Sequence, residues 1–167
     1  DGFPALLNAI IGQQISVASA NAAWARIEAA GLTQADAISR ASEEELRGVG
    51  FSRPKVRYAK ALAAAEIDYA GLRDLASDDV IKRLVKVPGI GMWTAEIYAK
   101  FSLGRADVFA AGDLALQEAA RVLFDLDARP SEAELREMAV AWSPWRSVAA
   151  RALWAFYRQL KTREGVV

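Results

Sequence analysis

The 167-residue chain contains no His and no Cys. Ser-His-Asp triads, thiolate nucleophiles, imidazole metal sites and cysteine-held iron–sulfur clusters are therefore excluded by residue type. Carboxylates, Lys, Tyr, Ser/Thr and the main chain remain, and two segments concentrate them. The first is Leu84-Val85-Lys86-Val87-Pro88-Gly89-Ile90-Gly91-Met92-Trp93-Thr94-Ala95. Pro88 disfavours helix at Val87, while Gly89 and Gly91 permit positive φ and leave bare main chain at the surface. A helix starting near Met92 aims its first, unbonded N–H groups and the positive end of its dipole at that turn, where a phosphate oxygen fits. The second is Asp107-Val108-Phe109-Ala110-Ala111-Gly112-Asp113-Leu114, in which Asp113 follows a Gly and opens a helix carrying Leu116, Ala120 and Leu123. A negative charge there is stabilised by the helix dipole, which suits a group that must stay anionic beside a developing cation. On spacing alone each segment also has an ordinary reading, as an αα-corner and as an N-cap. Taken together, a main-chain phosphate clamp and a lone carboxylate point to chemistry on a sugar next to that phosphate.

The elements that must position them read as helices throughout. Sustained β-type alternation is missing, and the Ala-rich stretches favour helix. Phe3 to Ile11 is apolar and ends at Gly12; a second helix starts near Ser16 and runs to Gly31. Thr33/Asp36, Ser42/Glu45 and Ser131/Glu134 have capping-box spacing. Ile81, Leu84 and Val85 form one apolar face of a helix opened by Ser77, and Leu153, Phe156 and Leu160 form another, while Trp154 shares a different face with Arg151 and Arg158. The expected fold is all-α: a compact two-lobe helical bundle, one lobe of residues 16–105 and the other of residues 1–15 plus 106–167. At 53% apolar residues the chain can fill such a core. A second Gly-x-Gly, Gly48-Val49-Gly50, precedes Arg53, Lys55 and Arg57, which could support a phosphate backbone or merely form a solvated face.

Twenty-one basic and 21 acidic residues cancel, so no bulk charge announces a nucleic-acid partner. A clamp of main-chain amides does not need one. No apolar run approaches the ~20 residues of a membrane span, and a cytoplasmic protein without a membrane partner is expected.

The hairpin and the Asp107–Leu114 segment, in that order, resemble the helix-hairpin-helix DNA glycosylase superfamily, and within it the bacterial 3-methyladenine DNA glycosylase II branch. The resemblance extends to Ala9-Ile10-Ile11-Gly12-Gln13-Gln14-Ile15-Ser16 and to Trp142-Ser143-Pro144-Trp145-Arg146-Ser147 with the helix reaching Trp154. It implies a DNA cleft between the lobes and damaged double-stranded DNA as partner. The implied enzyme is a monomeric, monofunctional glycosylase that releases alkylated purines in base excision repair.

By resemblance Asp113 is the catalytic carboxylate, with Asp107 a loop or capping group and Asp125 part of a surface turn. Trp93 and Trp154 match base-pocket aromatics, while Trp142 and Trp145 read as structural. Gly89, Ile90, Gly91, Met92, Trp93 and Thr94 match the DNA-binding hairpin, and Gln13 and Gln14 the wedge region, with Gln14 leading and Gln13 also a candidate to stabilise the turn. Strand-cutting relatives carry Lys two residues after the second hairpin Gly; Trp93 stands there, and neither Lys86 nor Lys100 matches. No cofactor is required, but a Na⁺ or K⁺ ion on the carbonyls of Val85, Val87 and Ile90 is implied. Ile97 replaces a Tyr common in the family, with Tyr98 following, so the preferred base stays open. A non-catalytic helix-hairpin-helix module and a glycosylase for another lesion are the rival readings. Many relatives carry an N-terminal sheet domain, which this sequence, starting at Asp1, is expected to lack or to have lost.

Overall fold

A computed structural model describes residues 1–163, and all regular structure among them is helical. The chain divides into two units, Asp1–Tyr98 and Ala99–Val167. In the first, α1 (Gly2–Gly12) packs on α2 (Val17–Ala29) and α5 (Arg53–Ala64), and α3 (Ala35–Arg40) and α4 (Glu43–Gly48) also lie on α5. Next come α6 (Ser77–Leu84) and α7 (Met92–Phe101), with the boundary between units falling inside α7. The expected grouping of residues 1–15 with 106–167 is not observed. The reason is local: α1 buries Phe3, Leu6, Leu7, Ile10 and Ile11 and packs on helices that follow it closely in sequence. Full burial of each such side chain contributes about 1.5–3 kcal/mol.

The second unit is built on α8 (Leu114–Leu123) packed along α10 (Arg146–Arg163), with α9 (Glu132–Met138) against α8. Its core joins Phe109, Leu116, Leu135 and Leu153 to Ala111, Ala119, Ala120, Ala139 and Ala150. The alanines on α8 and α10 let those helices approach closely. Trp142 packs on this core, stacking with Phe124 and meeting Phe109 at a tilt, the structural role expected of it, whereas Trp145 is exposed.

Local chemistry sets most helix starts. Ser42/Glu45 and Ser131/Glu134 both form complete capping boxes. Thr33/Asp36 does not, because α3 starts two residues beyond Thr33 with Gln34 at its cap position. The helix α6 opens at Ser77 as expected, but its buried face is Val80 and Leu84; Ile81 is half-buried, and Val85 already lies past the last helical turn and is exposed. Leu153 is buried as expected, with Phe156 and Leu160 half-buried beside it.

The loop leading to Asp113 is fastened to the start of α10. Asp107 accepts hydrogen bonds from Arg146 Nε at 2.6 Å, Arg146 Nη2 at 2.9 Å and Ser143 Oγ at 2.8 Å. Buried Ser147 donates from Oγ to the Val108 carbonyl at 2.8 Å, and its own N–H donates to the Ala106 carbonyl at 2.8 Å. The Arg146 guanidinium holds the Asp107 carboxyl down at about 2, against an ordinary value of 3.8. A depressed carboxyl stabilises the fold above its ordinary pKa and loses that contribution as pH falls through the folded value. Thermal melts should therefore show wild type losing stability more steeply than Asp107→Asn between pH 3.8 and about 2. Parallel acid limbs for the two proteins would contradict the clasp.

Candidate functional site

The hairpin between α6 and α7 is held from below. Gly89 has φ 91°, and a Cβ there would lie 2.3 Å from Tyr58 Cγ, so both the backbone angle and the packing exclude a side chain. Gln13 reaches across from the end of α1: its Nε2 donates to the Gly89 carbonyl at 2.9 Å and lies 3.5 Å from Thr94 Oγ1. The Gln13 amide ties its turn to the hairpin, the turn-supporting alternative that the sequence left open. Gly91 differs from Gly89. It does not use positive φ, and an added Cβ would meet nothing within 4 Å. The fold has room for a side chain at Gly91, and the main chain there is bare.

Ala95 N–H donates to the Gly91 carbonyl at 3.0 Å, the first α-helical bond of α7, so the N–H groups of Met92, Trp93 and Thr94 precede the helical ladder. The Ile90 N–H is spent within the turn, on the Val87 carbonyl at 3.0 Å, and the Ile90 and Thr94 side chains are buried. Of the expected hairpin contacts, Gly91, Met92 and Trp93 are exposed. The Val87 carbonyl keeps a second lone pair beside its bond from Ile90, and the carbonyl oxygens of Val85, Val87 and Ile90 are neutral donors of the kind hard cations take. Gln14 has φ 60° and is exposed in the α1–α2 turn, a backbone angle costly for a non-glycine residue. Ile15 and Val17 stand exposed beside it and are apolar candidates for the same role, marked by their exposure and not by their sequence.

The other Gly-x-Gly is a different device. Gly50, with φ 108°, backs onto Arg26, whose Nε donates to the Val49 carbonyl at 3.2 Å. Lys55, for which a phosphate contact and a solvated face were both open, donates to the Ile11 carbonyl at 2.6 Å in the last turn of α1.

In the second unit, Asp113 caps α8. Its Oδ1 accepts from the N–H groups of Ala115 at 2.9 Å and Leu116 at 3.2 Å, and the residue is half-buried. Gln117, buried one turn on, donates to the Ala111 carbonyl at 2.9 Å and so fixes the approach to Asp113. Asp125, with φ 51°, lies in the exposed turn after α8 as expected. Trp154 is half-buried on α10 and lines a hollow of about 490 Å³ with Phe101, Arg151, Tyr157 and Arg158. Buried Lys100 places its Nζ 3.9 Å from the Trp154 ring centroid. Burial, with Arg151 adding to it, pulls the Lys100 ammonium down to about 8, and the Asp113 charge opposes that shift. In sequence Lys100 stands away from the Schiff-base position, and nothing in its spacing marks it as buried.

Residues 7–144 match the model of the HhH-GPD superfamily of base excision DNA repair proteins. The chain belongs to this superfamily. Similar proteins include YfjP of Bacillus subtilis, 32% identical over 123 residues, with 71% of this chain and 43% of YfjP covered. DNA-3-methyladenine glycosylase 1 of Schizosaccharomyces pombe is 31% identical, and the match covers 91% of this chain and 71% of that protein. Its structure in complex with abasic DNA superposes with a TM-score of 0.80, covering 91% of this chain and 78% of that one. A DNA-3-methyladenine glycosidase from Bacillus halodurans gives a TM-score of 0.82 at 33% identity, covering 93% and 75%. The chain thus spans under half of YfjP and about three quarters of the other two.

In this HhH-GPD hairpin the two glycines should respond differently to one methyl group. Gly89→Ala meets Tyr58 and a left-handed backbone, and should lower stability by more than about 1 kcal/mol in denaturant titrations. Gly91→Ala should leave stability within about 0.5 kcal/mol while weakening binding to duplex DNA. Equal stability losses, or unchanged DNA affinity in Gly91→Ala, would contradict this division of roles.

Proposed function

We propose that this chain is a monofunctional DNA glycosylase, hydrolysing the N-glycosidic bond of alkylated purines of the 3-methyladenine type in damaged double-stranded DNA and leaving an abasic site. The observation that carries this reading is the Asp113 carboxylate, fixed by two main-chain N–H groups at the start of α8 in a member of a base excision repair family. The glycosylase names of its relatives and the abasic DNA held by the fission yeast protein support it.

In this mechanism the bond from C1′ to the base nitrogen breaks, and its electron pair leaves on the base. The sugar becomes oxocarbenium-like, and Asp113 supplies the anion that stabilises it. Water then adds at C1′ and gives up a proton. A base that was cationic leaves neutral; a base that was neutral must take up a proton as it leaves. Because Oδ1 is already held by amides, the carboxylate needs no reorganisation when the charge develops.

Trp154 offers an aromatic face for the extruded base, and by the family resemblance Trp93 is a second aromatic candidate for it. Gly91, Met92 and Trp93 offer main-chain N–H groups to a DNA phosphate. A Na⁺ or K⁺ ion on the carbonyls of Val85, Val87 and Ile90 would add a positive charge beside that phosphate. Gln14 is the wedge that fills the space the base vacates. Trp93 occupies the position of the strand-cutting lysine in lyase relatives, which favours hydrolysis alone.

Single-turnover base release from alkylated duplex DNA tests the assignment. Asp113→Asn keeps a capping side chain but loses the charge, and should slow release by about 10²-fold or more with DNA binding retained. Near-normal release would remove Asp113 from its role. Borohydride should trap no covalent protein–DNA adduct with wild type, and an adduct would contradict the monofunctional reading.

A further inference from the structure

Lys100 is 2% exposed, and its Nζ makes no hydrogen bond. A buried ammonium so placed needs other compensation, and here aromatic rings surround it. Nζ lies 3.9 Å from the Trp154 ring centroid and 5.3 Å from that of Phe101, while Phe101 and Trp154 stack at 5.7 Å with 20° between their planes. The separation of Nζ from Phe101 is too short for the two to lie on opposite faces of the indole. One face of Trp154 is therefore covered by Phe101 and by the ammonium. Arg151, whose guanidinium lies 5.5 Å from the Phe101 centroid, adds a second positive charge, and Arg158 lines the hollow beside it.

We propose that Lys100 is a specificity-determining residue: its ammonium occupies the electron-rich face of Trp154 and shifts the enzyme toward neutral alkylated bases, such as etheno-bridged purines, over cationic methylpurines. This rests on the glycosylase reading and on Trp154 as the platform for the base. The attraction of an indole for a cation comes from the ring quadrupole. With Lys100 already against one face, a cationic base on the other meets a ring whose electron density is drawn away and a like charge just behind it. A neutral base stacks by dispersion and shape and does not incur that repulsion. Cationic bases such as 3-methyladenine remain substrates, stabilised by Asp113 at the sugar, but they bind this platform less well than they would without the lysine.

The penalty is tied to protonation. Arg151 from α10 favours the neutral amine and Asp113 at the start of α8 favours the ammonium, while Glu96 precedes Lys100 by one turn on α7. Below about pH 8 the charge is present, and above it the charge is lost.

The test is the ratio of single-turnover release rates from a duplex containing N3-methyladenine, which is cationic in DNA on both sides of pH 8, and one containing ethenoadenine, which is neutral. Wild type, Lys100→Met and Lys100→Arg are each measured below and above about pH 8. A ratio taken within one protein cancels any loss of folded fraction. Lys100→Met should move the ratio toward the cationic base by roughly 3- to 30-fold, and Lys100→Arg should keep the wild-type ratio. The wild-type ratio should drift toward the cationic base as pH rises through about 8, and the Lys100→Met ratio should not. The same ratio and the same pH course in wild type and Lys100→Met would overturn the proposal. Release from neither duplex by any of the three proteins would remove the glycosylase reading itself, and the inference with it.

Discussion

The start of an α-helix leaves its first N–H groups without partners in the helix, and this chain treats those starts in three ways. At α4 and α9 a serine hydroxyl and a glutamate close the end with a complete capping box. At α8 the cap is the Asp113 carboxylate, which brings a full negative charge. At α7 the preceding residue is Gly91, which has no side chain to cap with and open space where one would be. The first solution builds the fold only. In the proposed function the second supplies the anion for a sugar cation, and the third is the helix start that receives a phosphate.

Both functional starts depend on supports drawn from distant sequence. The hairpin rests on Tyr58 beneath Gly89 and on Gln13, whose amide meets a carbonyl 76 residues away. The loop before Asp113 is pinned by Asp107, Arg146 and Ser147, groups 39 residues apart along the chain. Such supports hold a site at fixed geometry before its ligand arrives, and pre-organisation of this kind makes a single carboxylate effective.

Features whose chemistry closes within one helical turn were legible in the sequence. Ser42/Glu45 and Ser131/Glu134 are read from spacing alone, as is the face that Trp154 shares with Arg151 and Arg158. The all-helical class followed from the Ala-rich composition and the lack of strand alternation. Features that depend on a distant partner were not legible. For Gln13 the sequence leaves a DNA contact and support of the turn both open, and for Lys55 a phosphate contact and a solvated face; that their partners are the carbonyls of Gly89 and Ile11 is set by the tertiary fold. Lys100 gave no sign of burial, because its shielding comes from α10, some fifty residues later. The division into lobes was misplaced for a related reason: whether α1 packs on its sequence neighbours or on the end of the chain is decided by tertiary burial, not by its own pattern.

Central to all of this is the claim that Asp113 is present for its charge and not only as a cap. Serine caps a helix nearly as well as aspartate but carries no charge. Asp113→Ser, assayed for thermal stability and for single-turnover base release from alkylated duplex DNA on the same preparation, separates the two roles. Stability close to wild type with base release abolished is the predicted result. Base release near the wild-type rate from a stably folded Asp113→Ser protein would contradict it.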